Sequence, residues 1–351
     1  PKQISSLQVE GITKRFPGVL ACDSIDLSIG EHEILALVGE NGAGKTTLMN
    51  ILMGLYQPDS GRILINGEPV HFRSPNDAFE AGIGMVHQHF MLVPNLTVLE
   101  NIALGMKSAH KRGLVKPQVV RQRIADVSEK YGFSVDPDAY VWQLSVGEQQ
   151  RVELVKTLCY GARFLILDEP TAALTPQETD DLINLLTNMA KELSIIFISH
   201  KLQEVKTLSH TVSILRHGKM VFSGDTKDYN PAQLASFMTG STVEISVNEH
   251  ANEPGETILD IRDLTVKSDR GFNALNKLNL SVRSGEIVGL AGVSGNGQKE
   301  LAEVINGLRK AESGSIQFLG RDITNKTPLE IIESGMGYIQ EDRNTEGIIP
   351  V

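Results

Sequence analysis

Residues Gly39-Glu40-Asn41-Gly42-Ala43-Gly44-Lys45-Thr46, with Thr47 behind them, have the types and spacing of a phosphate-binding loop. Its glycines let consecutive backbone N–H groups curl around phosphate oxygens, and a helix beginning at the loop's end adds its partial positive charge. Lys45 is long enough to reach β- and γ-phosphates, and the Thr46 hydroxyl suits Mg2+. The flanks supply the setting that this chemistry needs. Ile34-Leu35-Ala36-Leu37-Val38 is a continuous apolar run, as in a strand buried on both faces. Beyond the loop, Leu48, Ile51, Leu52 and Leu55 recur at helical spacing. Strand, glycine loop and helix together predict binding of a nucleoside triphosphate.

Four further features follow in order. Gln88 stands just after the strand-like Gly84-Met85-Val86, where an ordinary polar loop residue is the plain alternative. Leu144-Ser145-Val146-Gly147-Glu148-Gln149 opens a segment with Val152, Val155 and Leu158 on one face. Ser145 and Glu148 have capping-box spacing; a capped helix start beside a glycine also presents N–H groups to an anion, and both readings stay open. Phe164-Leu165-Ile166-Leu167 is another buried-strand run, ending in Asp168-Glu169-Pro170. Acids at the carboxyl end of such a strand stand where open α/β sheets bind ligands. Asp168 suits Mg2+ and Glu169 suits an attacking water, with a simple acidic turn as the alternative. Ile195-Ile196-Phe197-Ile198 ends in Ser199-His200. A lone His after a strand is more often structural, but downstream of an acid-tipped strand His200 becomes a candidate γ-phosphate contact.

The elements that must position these residues fit about two domains in 351 residues. Hydrophobic content of 41% and charged content of 22% are those of an ordinary globular protein. A net charge of −10 argues against a nucleic-acid partner, which wants a basic face. Cys22 and Cys159 read as buried free thiols in a reducing cytosol. No apolar run approaches the roughly 20 residues of a membrane span, so any membrane role is expected to come through a partner. His87 and His89 flank Gln88 without the clustered partners of a metal site.

The ordered set resembles the nucleotide-binding cassette of ABC transporters over residues 1–240. Gly39 to Thr46 looks like Walker A, Gln88 the Q-loop residue, and Leu144 to Gln149 the signature motif, with Val146 where Gly is usual. Phe164 to Glu169 looks like Walker B with its catalytic glutamate, Ala172-Ala173-Leu174-Thr175 the D-loop, and His200 the switch histidine. Phe16, in Lys14-Arg15-Phe16-Pro17-Gly18, takes the place of the aromatic that stacks on adenine. The resemblance implies an α/β fold: a P-loop NTPase cassette with a RecA-like core sheet, an N-terminal antiparallel β-subdomain and a helical subdomain at about 91–160. It implies ATP and Mg2+, the ion held by Thr46, Gln88 and Asp168, with Lys45, Glu169 and His200 carrying hydrolysis. Ser145, Val146, Gly147 and Glu148 are implied to serve an opposing site, on a second cassette or a homodimer partner.

An internal repeat at an offset of 253 residues narrows this further. Gly39 maps to Gly292, Gly44 to Gly297, Gly61 to Gly314 and Gln88 to Glu341, after a polar linker at 241–256. Residues 257–351 are thus expected to be part of a second cassette. Its loop is altered: Gln298 stands where Lys45 does, and Lys299 where Thr46 does. A neutral amide lacks the charge-assisted bonds of an ammonium to phosphate, so weak or non-hydrolytic binding is expected there. A complete copy is expected to reach roughly residue 490. A half sheet is expected to expose apolar edges.

A fused pair with an altered second loop resembles the ATP-binding subunit of bacterial importers for simple sugars and nucleosides. That resemblance implies membrane permease subunits, an extracytoplasmic substrate-binding lipoprotein reached through them, and a place on the cytoplasmic face of the cell membrane. Apolar surface at Phe90-Met91-Leu92-Val93-Pro94 is expected to meet the permease. Trp142 is expected to pack beside the signature. The rival is a soluble ABC ATPase acting on ribosomes, which usually carries two intact cassettes and a long charged linker.

Overall fold

The computed structural model describes residues 4–88, 90–106, 110–111, 114–240, 254–268, 271–292 and 296–340. The chain divides into two compact units, Pro1–Ile245 and Ser246–Val351.

The first unit opens with strands β1 (Ser6–Phe16), β2 (Val19–Gly30) and β3 (Ile34–Val38), followed by helix α1 (Lys45–Leu52). Next come β4 (Ser60–Ile65), β5 (Glu68–Val70), α2 (Pro75–Ala81) and β6 (Ile83–Val86). A mainly helical stretch holds α3 (Val98–Gly105), the short β7 (His110–Lys111) and β8 (Leu114–Val115), α4 (Pro117–Tyr131) and α5 (Val146–Cys159). The remainder alternates: β9 (Phe164–Asp168), α6 (Pro176–Met189), β10 (Ser194–Ile198), α7 (Leu202–Leu208), β11 (Thr211–Arg216), β12 (Lys219–Asp225) and α8 (Pro231–Thr239).

Among the described residues these strands form an antiparallel sheet, β2-β1-β4-β5, and a six-stranded sheet, β12-β11-β3-β10-β9-β6. The latter is parallel except for β12. Its strands are buried on both faces, which explains their unbroken apolar sequences. Leu165, Leu167, Ile195 and Phe197 pack with Val152, Val155, Leu158, Leu182 and Leu186 of α5 and α6. Phe164, Ile166, Ile196 and Ile198 point the other way, toward Leu48, Ile51 and Leu52 of α1 and Leu7, Val9 and Ile12 of β1. The period-2 alternation of a strand thus joins two cores through one sheet. β3 lies between β10 and β11, so the strand feeding the glycine loop is central.

Helix starts follow their local chemistry. Thr97, Ser145, Thr175 and Asn230 each cap a helix and complete a box with the residue three further on. The helical reading of Leu55 needs correction: α1 ends at Leu52, and Leu55 is half exposed in a turn donating its N–H to Asn50 O at 2.8 Å. Cys22 and Cys159 are free and buried, and burial pushes their thiols up to about 11 and about 12. No helix among the described residues is long and apolar enough to cross a membrane.

The second unit has β13 (Thr257–Lys267), β14 (Asn273–Arg283), α9 (Gln298–Ile305), β15 (Ser313–Phe318), β16 (Arg321–Asp322) and α10 (Pro328–Glu333). Its sheet, β14-β13-β15-β16, is the counterpart of β2-β1-β4-β5. Its core gathers Ile261, Leu264, Val266, Leu301, Val304 and Ile316. Residues 287–291, which match β3 at the repeat offset, form no strand, and Ile287 is 99% exposed. Residues 336–339, matching β6, form none either. β3 and β6 are held in the first unit by β9, β10 and β11, drawn from residues 164–216. Among the described residues, neither 287–291 nor 336–339 is paired in a sheet.

Candidate active site

At the carboxyl end of β3 the loop 39–44 turns into α1. Gly44 has φ +105°, and a Cβ there would stand 2.3 Å from Ala21 O, so only glycine fits. At Gly39 a Cβ would meet Leu215 O at 2.3 Å. The loop is therefore wedged between β2 and β11, at the start of α1. Lys45 is buried, and its ammonium donates to Gly39 O at 2.7 Å and Glu40 O at 2.9 Å. Burial pushes the Lys45 ammonium below its ordinary range, against the raising pull of Glu169 and Asp168. A phosphate brought to this loop would meet a desolvated cation with strong reason to pair.

A cavity of about 390 Å³ opens here, lined by Phe16, Asn41, Gly42, Ala43, Gly44, Lys45, Thr46, Thr47, Gln88, Asp168 and Glu169, with Val19 and Ala21. Gln88 follows β6, and the acids end β9, the strand beside it. Sheet order thus converges residues that are far apart in sequence. Burial and then the charge of Glu169 push the Asp168 carboxyl above its ordinary range, against the lowering effect of Lys45. Glu169 Oε2 accepts from Gln88 Nε2 at 3.4 Å. His200 Nδ1 lies 3.0 Å from Glu169 Oε1, the geometry of an imidazole N–H donating to a carboxylate. Asp168, the Thr46 hydroxyl and the Gln88 amide bring hard oxygen donors to one cavity, a set that fits Mg2+ completed by waters and phosphate oxygens.

Phe16 also lines the cavity. Tyr56 packs edge-on against it, with ring centroids 5.4 Å apart, and Lys14 Nζ sits 5.7 Å from its ring centre. Val19, Ala21 and Tyr56 were not singled out from sequence. The hairpin that pairs Phe16 with Val19 was the signal available.

Ser145, Val146, Gly147 and Glu148 do not line this cavity. Ser145 and Glu148 form a complete capping box on α5, with Ser145 N–H to Glu148 Oε2 at 2.7 Å and Glu148 N–H to Ser145 Oγ at 3.3 Å. The capping reading is therefore met, and a carboxylate oxygen of Glu178 lies over Gly147, 2.4 Å from where a Cβ would stand. Trp142 does sit beside the signature, sharing a surface cavity with Gln88, Phe90, Leu92, Val146 and Gln149, but it is 63% exposed. Met91 and Val93 are exposed as well, and His89 lies outside the described residues.

In the second unit Gln298 opens α9 where Lys45 opens α1. A Cβ on Gly292 would stand 2.2 Å from Gln298 Nε2, so the amide lies over Gly292. Lys299 pairs with Glu303 at 3.7 Å. Residues 293–295, the linker residues 241–253, and Glu341-Asp342-Arg343 lie outside the described residues.

The ABC transporter family profile matches residues 22–172 and 275–349. The guanosine import ATP-binding protein NupO of Bacillus subtilis is 48% identical over 344 residues, covering 98% of this chain and 67% of that protein. The glucose import ATP-binding protein TsgD13 of Haloferax volcanii is 46% identical over 369 residues, covering 97% of this chain and 67% of that protein. The chain thus spans about two thirds of the length of both relatives. In fold, the ADP conformation of an ABC transporter's ATP-binding cassette superposes with a TM-score of 0.60 at 23% identity, covering 69% of this chain and all of that one. With matches in both halves and a cavity built around the glycine loop, this chain belongs to the ABC transporter family, whose ATP-binding cassettes are ATPases that use ATP with Mg2+.

Proposed function

We propose that the chain is the ATP-hydrolysing part of an importer for nucleosides or simple sugars, working on the cytoplasmic face of the membrane through separate permease subunits. A substrate-binding lipoprotein outside the membrane would deliver the cargo to the permease. The relatives, one importing guanosine and one glucose by name, support this class and leave both cargoes open. Residues 1–240 are the working cassette, 241–256 the linker and 257–351 the first part of a second cassette.

The observation that carries the reading is the convergence of Lys45, Thr46, Gln88, Asp168 and Glu169 on one cavity, with His200 against Glu169. The loop amides and Lys45 bind the phosphates, and Phe16 takes the adenine face. Mg2+, held by Thr46, Asp168 and Gln88, would neutralise charge on the phosphates. Glu169 acts as general base on the attacking water, and His200 orients that carboxylate and meets the γ-phosphate. Ser145 to Glu148, standing apart from the cavity, serve a site on an opposing cassette.

Replacing Glu169 with Gln tests this directly. Binding of a fluorescent ATP analogue should stay at the wild-type level, while phosphate release falls by roughly 10²–10⁴-fold. Unchanged turnover in that variant would remove Glu169 as the base.

A further inference from the structure

Glu204, on α7, is 8% exposed and makes none of the contacts of the cavity itself. Its Oε2 accepts from Thr171 Oγ1 at 2.6 Å and from Ser199 Oγ at 3.2 Å, and its Oε1 pairs with Lys201 Nζ at 3.1 Å. Lys201 Nζ donates to Thr171 O at 3.0 Å, and the Lys201 N–H to Ser199 Oγ at 3.0 Å. A buried carboxylate persists only when it is paired and hydrogen-bonded. Here the bonds run to two loops: the one leaving β9 two residues after Glu169, and the one leaving β10 on either side of His200.

A second observation shows what such a knot would hold. Glu169 has φ +46°, in the left-handed region that a side chain other than glycine occupies only under constraint. Its N–H donates to Ile198 O at 3.0 Å and its carbonyl accepts from Ala172 N–H at 3.1 Å. The first bond bridges the two segments that Glu204 ties together, and the second closes the turn from Glu169 to Ala172 within one of them. Left to itself, the turn would relax toward right-handed φ and swing the Glu169 carboxylate away from His200.

We propose that Glu204 is a positioning residue for hydrolysis: by bridging Thr171, Ser199 and Lys201 it keeps Glu169 in its strained conformation, facing the cavity and against His200. The inference rests on Glu169 being the base. The phosphate grip belongs to the loop 39–44 and α1, which Glu204 does not touch, so its loss should act on turnover and spare binding.

The test uses full-length protein with Glu204→Ala, Thr171→Val, Thr171→Ser and Glu169→Gln. It reads phosphate release (kcat and KM), affinity for a fluorescent ATP analogue, and the thermal midpoint. Glu204→Ala and Thr171→Val should each lower kcat by roughly ten- to a hundredfold, as expected for a displaced catalytic group, with analogue affinity unchanged. Thr171→Ser, which keeps the hydroxyl, should recover most of that loss. A purely structural role would instead lower affinity and midpoint together and leave kcat per folded molecule unchanged; that result overturns the proposal. Should Glu204→Ala fail to fold, the Thr171 pair decides, and equal kcat in Val and Ser also overturns it. Collapse of turnover in Glu169→Gln, with full activity in the Glu204 and Thr171 variants, removes only the role of Glu204. Full turnover in Glu169→Gln removes the base assignment beneath it.

Discussion

Asp168 shows a conflict between stability and chemistry in a single side chain. Its carboxyl is nearly buried, and desolvation followed by the charge of Glu169 raises its pKa. The native state therefore holds this proton more tightly than the unfolded chain does, and ionised Asp168 destabilises the fold near neutrality. The penalty is present above the folded-state pKa and fades as pH falls through it toward the ordinary value of about 3.9. Asp168→Asn removes the charge while keeping the shape. Without nucleotide, its thermal midpoint at neutral pH should rise by about 2–4 °C for each kcal/mol relieved, the gap to wild type narrowing as pH falls. Mg2+-dependent ATP hydrolysis should be lost at the same time. A lower midpoint for the Asn variant at neutral pH would contradict the account.

Between strands and helices, the fit is set by small residues. Gly84 lies in β6, directly under α5. A Cβ there would stand 2.3 Å from Thr157 Cγ2 and 2.9 Å from Ala162 Cβ. Both neighbours are buried, with Thr157 bonded to Glu153 O at 2.8 Å, so neither can swing clear. Gly84→Ala should destabilise the first unit by roughly 1–3 kcal/mol through overpacking. Adding Thr157→Ser, which deletes the clashing methyl and keeps the hydroxyl, should recover a good part of that loss. Urea titration of the single and double variants measures it, and a double variant no better than Gly84→Ala would show the strain lies elsewhere.

Across the whole chain, the two units answer one repeated sequence pattern in different ways. α9 and β15 fall at the offset of 253 residues from α1 and β4, yet residues 287–291 do not become a strand as β3 does. An antiparallel sheet of neighbouring hairpins is complete within its own stretch of chain. A central parallel strand is not, since both of its partners arrive from later elements. Hydrogen exchange read by mass spectrometry should therefore find the amides of 34–38 strongly protected and those of 287–291 of this chain exchanging freely. Equal protection would mean that 287–291 finds a partner strand. Lys299, at the position of Thr46, pairs with Glu303 on its own helix.

Much of this molecule could be read residue by residue because its signals are local. The glycine loop, the box at Ser145 and the apolar strand runs are each satisfied within a few positions of themselves, and the structure forms them where the pattern indicates. The repeat was equally legible, since it is a comparison of the chain with itself. Other features depended on distance. Gln88 and Glu169 are 81 residues apart, and nothing in either segment announces their hydrogen bond. Val19 and Ala21 line the cavity only because the hairpin closes beside the loop, and the bonds of Glu204 to Thr171 and Ser199 exist only once β9 and β10 lie side by side. The strained backbone of Glu169 has no sequence signature at all, because strain is imposed by contacts that exist only once β9 and β10 lie side by side. Short-range hydrogen bonding and periodicity are encoded where they act, whereas burial, pairing and strain belong to neighbours that only folding brings together.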